Sequence, residues 1–436
     1  MCAGIAYRTG LIMEKHEKAD LIKLIIAAGF VISVFYHYAM SSYAKFNYYP
    51  YDTFLFIPKD KFNDFYNIFR ATRDLNPYSS PLSVYFPFSY LLMYVLSMAT
   101  FFVRQLAFAV FVYIFARFTV LYMYRNMPQA DGYNKILSAF IYTFMSYPFL
   151  FTLDRGNLEA FLFVFLVLFL EFYQRDKFWL SSLFLSFAIA MKLYPMLFLV
   201  LFLIKKRYKE TFVTVGLVAI LTLLPLFIFK GGFVANLNIV LAGSNIGSNH
   251  VFSLFLDNNN FILRSLSLFT FIKVVLYEMN SIDIVNMAVF SKAYSAAGAL
   301  LIALSMAYVL FVEKELWKQT AIVVFAMLLF PHVSGDYKLM HVFIPLILFI
   351  NHGMKSNADK YYAVLFALLL IPKDYYIFTN LVSDSGKSDI SMSVLLNPLI
   401  MLLMSAGIIV SGLRSADLAE VRRTVSGFKS DLFRRG

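Results

Sequence analysis

Charged residues are scarce in this sequence. Asp, Glu, Lys and Arg make up 15% of its 436 residues, whereas hydrophobic residues make up 60%, and the mean hydropathy is +0.70. Soluble domains are typically about 25% charged and about 45–50% apolar. A soluble core cannot hold this much apolar sequence, so the composition predicts one integral membrane domain instead of several soluble domains.

Cysteine is almost absent, because Cys2 is the only one. A single cysteine cannot form an internal disulfide, so the cysteine content does not indicate an oxidising or a reducing compartment. The first long apolar run begins at Leu21 and lacks a small-residue cleavage site. We therefore expect this run to be retained as a membrane anchor and not removed as a signal peptide.

The formal net charge of +12 would favour nucleic-acid binding in a soluble protein. Here the cations cluster at the ends of apolar segments, as at 205–209 and 414–435. This position is typical of the cytoplasmic flanks of membrane helices. No basic stripe alternates with exposed aromatic residues, so we expect membrane lipids and not nucleic acid as partners of these charges.

Apolar segments recur at about the 17–25 residues that a spanning helix needs. We predict an all-α polytopic membrane protein with about 10–13 transmembrane helices and loops on its outer face. Segment 178–204 is compatible with one long helix or with two short helices broken at Pro195, and the side on which 154–157 lies depends on that crossing. Segment 261–276 is amphipathic enough to lie in the membrane interface. The candidate spans are 21–40, 84–103, 105–124, 135–152, 158–172, 178–204, 211–229, 288–312, 319–331, 340–351, 361–371 and 393–412.

Lysine and arginine at segment ends predict the orientation. The 205–209 cluster and the basic flanks of the first span are placed on the cytoplasmic side. We expect a cytoplasmic segment 1–20, a transmembrane domain 21–412 and a basic cytoplasmic tail 413–436. The loops expected on the outer face are 41–83, 230–260, 332–339 and 372–392.

Polar side chains within or beside spans are the candidates for function, because a buried charge costs at least a few kcal/mol. The outer loop 41–83 is too long for a simple connector and contains Asp64, Tyr66 and Arg70. A carboxylate ringed by aromatic residues next to the membrane suits general-base work, with a solvated loop aspartate as the plainer alternative. Three other aspartates of the loop compete for the role: Asp52, Asp60 and Asp74.

Two further motifs interrupt apolar runs. Gly156 lets the chain turn tightly, and its neighbours Arg155 and Asn157 carry donors for an anionic or hydroxyl-rich ligand; a plain interhelical turn is the alternative. Lys192, close to Tyr194, lies inside a long apolar stretch. Its ammonium must snorkel to the interface, pair with a carboxylate or bind an anion.

The segment 331–341 contains two histidines, Asp336 and Lys338 between two spans. A metal site is conceivable, but the spacing does not match a zinc motif. A structural polar cap and a substrate-binding loop are the other interpretations, and we favour the substrate-binding loop.

In this order, the motifs resemble the GT-C superfamily of membrane glycosyltransferases, specifically the family 87 type that uses polyprenyl-phosphate mannose. The resemblance runs over residues 15–412, nearly the whole chain. The Arg-Gly-Asn and Lys-Leu-Tyr-Pro pair is also similar to the first mannosyltransferase of GPI-anchor synthesis. The motifs are Asp64, Asn76-Pro77-Tyr78 and Tyr85-x-Pro87 in the outer loop, then Arg155-Gly156-Asn157, Lys192-x-Tyr194-Pro195 and Pro331-x-x-Ser334-x-Asp336-Tyr337-Lys338-Leu339.

The sequence departs from the family pattern at two points. The first loop has no Asp-x-Asp pair, which GPI enzymes carry, and this speaks against a bound metal, so we expect no cofactor. Gly335 stands where relatives often have tryptophan, a change in the part of the motif that would border the acceptor.

The resemblance implies an inverting hexosyltransferase in glycolipid or polysaccharide synthesis. The donor would be a polyprenyl-phosphate sugar, mannose first, and the acceptor a glycan or glycolipid at the outer, periplasmic side of a bacterial inner membrane. Asp64 would be the catalytic base. Fixed cations stabilise the charge that grows on a leaving phosphate, so Lys192, Arg155 and Lys338 would bind the donor phosphate. The other expected substrate-binding residues are Asn157, Tyr66, Arg70, Tyr194, Asp336 and His341.

Three rival interpretations remain. A glucosyltransferase that modifies O-antigen would share the architecture and differ in the sugar alone. A polysaccharide polymerase or ligase would have a large later outer loop, for which 230–260 is a modest candidate. A lipid-linked sugar transporter would have two repeated halves with polar sites near the midplane, and this sequence shows no such repeat.

Overall fold

The computed structural model describes residues 2–49, 51–55, 61–79, 85–128, 132–241, 264–279, 285–353, 358–377, 382–383, 386–387 and 390–417, with side chains from residue 16 onward except at 376–390. Asp60, much of loop 230–260 and the tail from 418 on lie outside these residues. The helices are α1 (Cys2–Ser42), α2 (Asn63–Thr72), α3 (Pro87–Ala99), α4 (Arg104–Asn126), α5 (Gly132–Phe144), α6 (Tyr147–Arg155), α7 (Glu159–Gln174), α8 (Phe178–Met191), α9 (Leu199–Ile204), α10 (Tyr208–Ile228), α11 (Gly232–Leu241), α12 (Leu268–Glu278), α13 (Met287–Phe311), α14 (Leu316–Leu329), α15 (Phe343–Asn351), α16 (Ala358–Leu370) and α17 (Ser393–Ser415).

Long apolar helices confirm the all-α polytopic membrane fold. Five helices of the described chain are long and apolar enough to span a membrane: α1 over His16–Ser42, α4, α10, α13 and α17. The pair α5 and α6 makes a sixth if its 53° bend lies within one span. The other predicted spans correspond to shorter helices, so length and composition identify five or six of the expected 10–13 spanning helices among the described residues.

Segment 178–204 is not one continuous helix. Helix α8 ends at Met191, and Lys192 is extended, with φ −152° and ψ 139°. A 3-10 helix, Tyr194–Phe198, and then α9 follow. The alternative of two short helices is therefore confirmed. The break lies at Lys192, three residues before Pro195, and the backbone of Lys192 is not helical.

The first helix begins earlier than the expected span at 21–40. Helix α1 starts at Cys2, so the expected 1–20 segment is continuous with it. Lys18 is buried, and its Nζ donates to the carbonyl oxygens of Phe349, at 3.0 Å, and His352, at 2.5 Å. These bonds satisfy free carbonyl groups at the end of α15. They hold α1 against α15 at the position of Lys18.

The helices run between two ends of the bundle. We call one the basic end, defined by Lys18, Arg125, Arg175 and Lys205, where Lys205 Nζ also lies 2.8 Å from Asp176 Oδ1. Helix α7 runs from the opposite end, at Glu159, to the basic end; its 16 residues separate the two by about 24 Å.

Short strands occur in the loop before α17. Tyr376–Ile377 pairs antiparallel with Ile390–Ser391, and Val382–Ser383 pairs with Gly386–Lys387. These two-residue pairs place a narrow hairpin at the end opposite the basic end and leave the fold helical.

Candidate active site

Asp64 lies in the first turn of α2, at the end opposite the basic end. The neighbouring face of α2 buries Phe65, Ile68 and Phe69. The Phe65 ring lies 5.2 Å from the ring of Phe108 on α4, so α2 is held against that helix. Asp64 remains on the open side, with 17% of its side chain exposed.

Arg155 and Asn157 both bind Asp64. The Arg155 guanidinium donates to Oδ1, and Asn157 Nδ2 donates to Oδ2 at 2.6 Å. Asn157 Oδ1 also accepts from the backbone N of Glu159 at 3.0 Å, which caps the start of α7. An ionised carboxylate offers about four lone-pair sites, so Asp64 keeps capacity for a substrate hydroxyl.

Gly156 makes this arrangement possible. Its φ of 61° and ψ of 34° are left-handed and end α6. A Cβ added here would lie 2.8 Å from Cβ of Phe65, so glycine allows α2 to approach the turn closely.

We expect Gly156→Ala to lower the free energy of unfolding by about 1–2 kcal/mol from the left-handed backbone alone, with a further loss from the contact with Phe65. Thermal unfolding in detergent measures the change. Gly216→Ala is the matched control, because Gly216 lies within α10 with nothing within 4 Å of an added Cβ. Equal stability of the two variants would contradict this account of the turn.

Glu159 connects three segments of the chain. Its side chain is fully buried, and its carboxylate lies 2.6 Å from Lys192 Nζ and 2.8 Å from His341 Nε2. The Tyr194 hydroxyl donates to the same carboxylate. A buried carboxylate is stable only when it is paired and fully bonded, so Glu159 fixes the positions of these three side chains.

Lys338 is a buried cation in the segment between α14 and α15. Among the described residues no carboxylate forms a salt bridge with it; its Nζ lies 3.5 Å from the Val333 oxygen and 4.8 Å from the centroid of the Tyr194 ring. Burial lowers the pKa of Lys338 to about 8, with Glu159 opposing and Lys192 reinforcing the shift. A bound anion would favour its charged form.

Two tyrosine rings lie beside Lys192, and Asn157 connects Asp64 to Glu159. Lys192 Nζ lies 5.9 Å from the ring centroid of Tyr85 and 5.5 Å from that of Tyr337, within the range of a cation–π contact. Asn157 binds the Asp64 carboxylate through Nδ2 and accepts from the backbone N of Glu159 through Oδ1. We call the side chains connected in this way the polar group: Asp64, Arg155, Asn157, Glu159, Lys192, Tyr194, Lys338, His341 and the rings of Tyr85 and Tyr337.

A model of glycosyltransferase family 87 matches residues 84–331, more than half of the chain. The chain belongs to glycosyltransferase family 87. It is an integral membrane enzyme that takes a sugar donor and an acceptor. No curated protein and no solved structure matches the chain.

The family match covers only part of the polar group in this family 87 enzyme. Arg155, Glu159 and Lys192 lie within the matched residues. Asp64 precedes them and Lys338 follows them, and the bonds from Asp64 to Arg155 and from His341 to Glu159 connect these flanking segments to the matched region.

Other candidates of the family 87 chain lie apart from the polar group. Arg70 is exposed, and Tyr66 lies under the Arg104 guanidinium, 4.7 Å from its ring centroid. Asp336 is buried and accepts from the Tyr147 hydroxyl at 2.7 Å. The two described competitors of Asp64 are exposed: Asp52 and Asp74.

Sequence reasoning missed Arg264, which forms a salt bridge with Asp374. Its guanidinium is 2.7 Å from Asp374 Oδ2 and donates to the Tyr147 hydroxyl at 3.0 Å and the Leu55 oxygen at 2.8 Å. Tyr147 in turn binds Asp336. Arg264 thus holds the loop between α1 and α2, the start of α6 and the segment after α16 together.

Proposed function

We propose that this family 87 enzyme transfers a hexose, mannose first, from a polyprenyl-phosphate donor to a glycan or glycolipid acceptor. The observation that carries the proposal is that one polar group holds a partly exposed carboxylate, Asp64, and a buried cation without a carboxylate partner in the described chain, Lys338. Displacement of a lipid phosphate requires a base for the acceptor hydroxyl and a ligand for the leaving phosphate.

Asp64 is the base in the proposed reaction. It takes the proton of the acceptor hydroxyl, and the hydroxyl oxygen attacks the anomeric carbon of the donor from the face opposite the phosphate. The bond from that carbon to the phosphate oxygen breaks, so the configuration inverts and polyprenyl phosphate leaves with the bonding electron pair. Arg155 and Asn157 orient the Asp64 carboxylate in this scheme. Because Arg155 is paired with Asp64, its contact with the donor phosphate is less direct than we expected from the sequence.

Lys338 is the principal ligand of the leaving phosphate in this proposal. Lys192 is already paired with Glu159, which offsets part of its charge. Preorganised cations in a dry site stabilise developing negative charge most, and we propose that these lysines make a metal unnecessary. Tyr194, His341 and the rings of Tyr85 and Tyr337 border the sugar.

We propose that the basic end faces the cytoplasm of a bacterium and that the site opens on the periplasmic side of the inner membrane. The support is the distribution of charge, because Lys18, Arg175 and the 205–209 cluster share the end opposite Asp64. Cations prefer the cytoplasmic flank of membrane helices.

A panel of radiolabelled polyprenyl-phosphate sugars tests the function. Purified enzyme should consume one of them, release polyprenyl phosphate and label an acceptor extract, with or without a metal chelator. Consumption of none would contradict the proposed donor class. Loss of transfer in chelator alone would contradict the metal-free scheme and leave the donor class intact.

We expect Lys338→Met to lower kcat/KM for the donor by about 10²–10³-fold, since one preorganised donor to a developing charge has this effect. Steady-state kinetics with varied donor concentration measures it. Lys177→Met removes an exposed cation at the basic end and should leave the kinetics unchanged. Normal donor kinetics in a folded Lys338→Met variant would rule out the phosphate-binding role.

A further inference from the structure

A cavity of about 560 Å³ lies at the basic end, between the last turns of α4, α7 and α15. Ligand sites typically enclose about 300–1,000 Å³. Glu171 lines the cavity and lies twelve residues beyond Glu159 on α7, which is about 18 Å along the helix. The cavity is therefore separate from the candidate active site.

The lining of the cavity changes along all three helices in the same direction. On α4 it passes from Leu121 to Arg125, from Val167 on α7 to Arg175 just after its end, and on α15 from Ile347 to Asn351. The apolar side chains lie nearer the middle of the bundle and the polar ones nearer its basic end. The cavity thus has an apolar inner wall and a polar mouth.

Charge and hydrogen bonds define the mouth. Arg175 forms a salt bridge with Glu171 and keeps 60% of its side chain exposed, and Arg125 is exposed as well. Asn351 Nδ2 donates to the Asn126 oxygen at 2.9 Å, which joins α15 to α4 on one side. With two arginines and one glutamate, the mouth carries a net positive charge.

We propose that this cavity binds one anionic phospholipid. The headgroup phosphate accepts from Arg125 and Arg175, which present planar donors suited to phosphate, and an acyl chain lies against Leu121, Val167 and Ile347. Basic pockets between membrane helices attract anionic headgroups. A soluble anion would use the mouth but not the apolar wall, which is why the proposal commits to a lipid.

The bound lipid contacts α4, α7 and α15 at once and so favours their association. A ligand that binds only the folded state raises its stability. The site is remote from Asp64, Lys338 and Glu159, so its loss should change lipid binding and stability without abolishing glycosyl transfer.

Native mass spectrometry of the full-length protein in detergent tests the proposal, with phosphatidylglycerol and phosphatidylcholine as probes. We expect one phosphatidylglycerol to bind preferentially. The double variant Arg125→Ala with Arg175→Ala should weaken its binding about 10–30-fold, as expected for two cations at an anionic headgroup. Lys206→Ala with Lys209→Ala removes the same charge at the same end, outside the cavity, and should have no effect.

Leu121→Trp tests the apolar wall separately. It should exclude the acyl chain and weaken phosphatidylglycerol binding while both arginines remain. If the control variant Lys206→Ala with Lys209→Ala lost phosphatidylglycerol binding equally, the overall charge of the basic end would explain the binding. That result would overturn the proposal. Equal binding of phosphatidylcholine, or displacement of the lipid by millimolar inorganic phosphate, would also overturn it.

Discussion

Replacing Asp64 with Asn should lower glycosyl transfer by about 10²–10⁴-fold, the usual contribution of a general base. Asparagine keeps the size of the side chain and one oxygen that accepts from Arg155, but it cannot take the proton of the acceptor hydroxyl. Turnover of the purified variant with the donor identified in the sugar panel measures the loss. Donor binding should change little, because the substitution leaves Lys338 in place.

Asp74→Asn is the matched control for this prediction, because Asp74 follows α2 in the same loop and is exposed. It should transfer sugar at the normal rate and insert into the membrane like the Asp64 variant. Near-normal transfer by Asp64→Asn would show that Asp64 is not the base.

Replacing Glu159 with Ala should lower the free energy of unfolding by about 3–5 kcal/mol, the cost of breaking a buried ion pair by removing one partner. Lys192 then keeps a partly buried ammonium without its carboxylate, and His341 and Tyr194 lose their common acceptor. Chemical unfolding in detergent measures the change, and transfer should fall with it because three side chains of the site lose their positions.

Asp20→Ala serves as the control, since the Asp20–Lys23 pair lies on α1 with 52% of the aspartate side chain exposed. Exposed pairs contribute about 0–1 kcal/mol. The double variant Glu159→Ala with Lys192→Met should recover stability relative to Glu159→Ala, because it removes the unpaired charge. Additive losses would show that the two side chains do not act as a pair.

The membrane class follows from the sequence because it depends on composition, which needs no knowledge of contacts. The helix boundaries inside 135–152 and 178–204 could not be predicted from composition. Hydropathy averages over a window, so it does not locate the break at Lys192. The ammonium of Lys192 pairs with Glu159, a contact that no local pattern shows.

The sequence predicted some members of the candidate site, such as Asp64 and Lys192, but not how its side chains pair. Arg155 was expected to bind a ligand, yet it binds Asp64 from 91 positions away, and sequence spacing carries no information about such a contact. Glu159 lies two residues after the Arg155-Gly156-Asn157 motif and had no predicted role, although a carboxylate at the start of an apolar helix needs a buried partner. Neither Arg264 nor Asp374 belongs to a recognisable sequence motif, because the role of each depends on its salt bridge with the other.

Photocrosslinking tests the central claim most directly, that the polar group of Asp64, Glu159 and Lys338 is where the lipid-phosphate donor binds. A polyprenyl-phosphate sugar with a photoreactive group on its sugar should label peptides that contain Tyr85 or residues 331–341. Unlabelled donor should compete, and Lys338→Met should reduce the labelling. Labelling confined to peptides of the basic end, such as those with Arg125 or Arg175, would contradict the account.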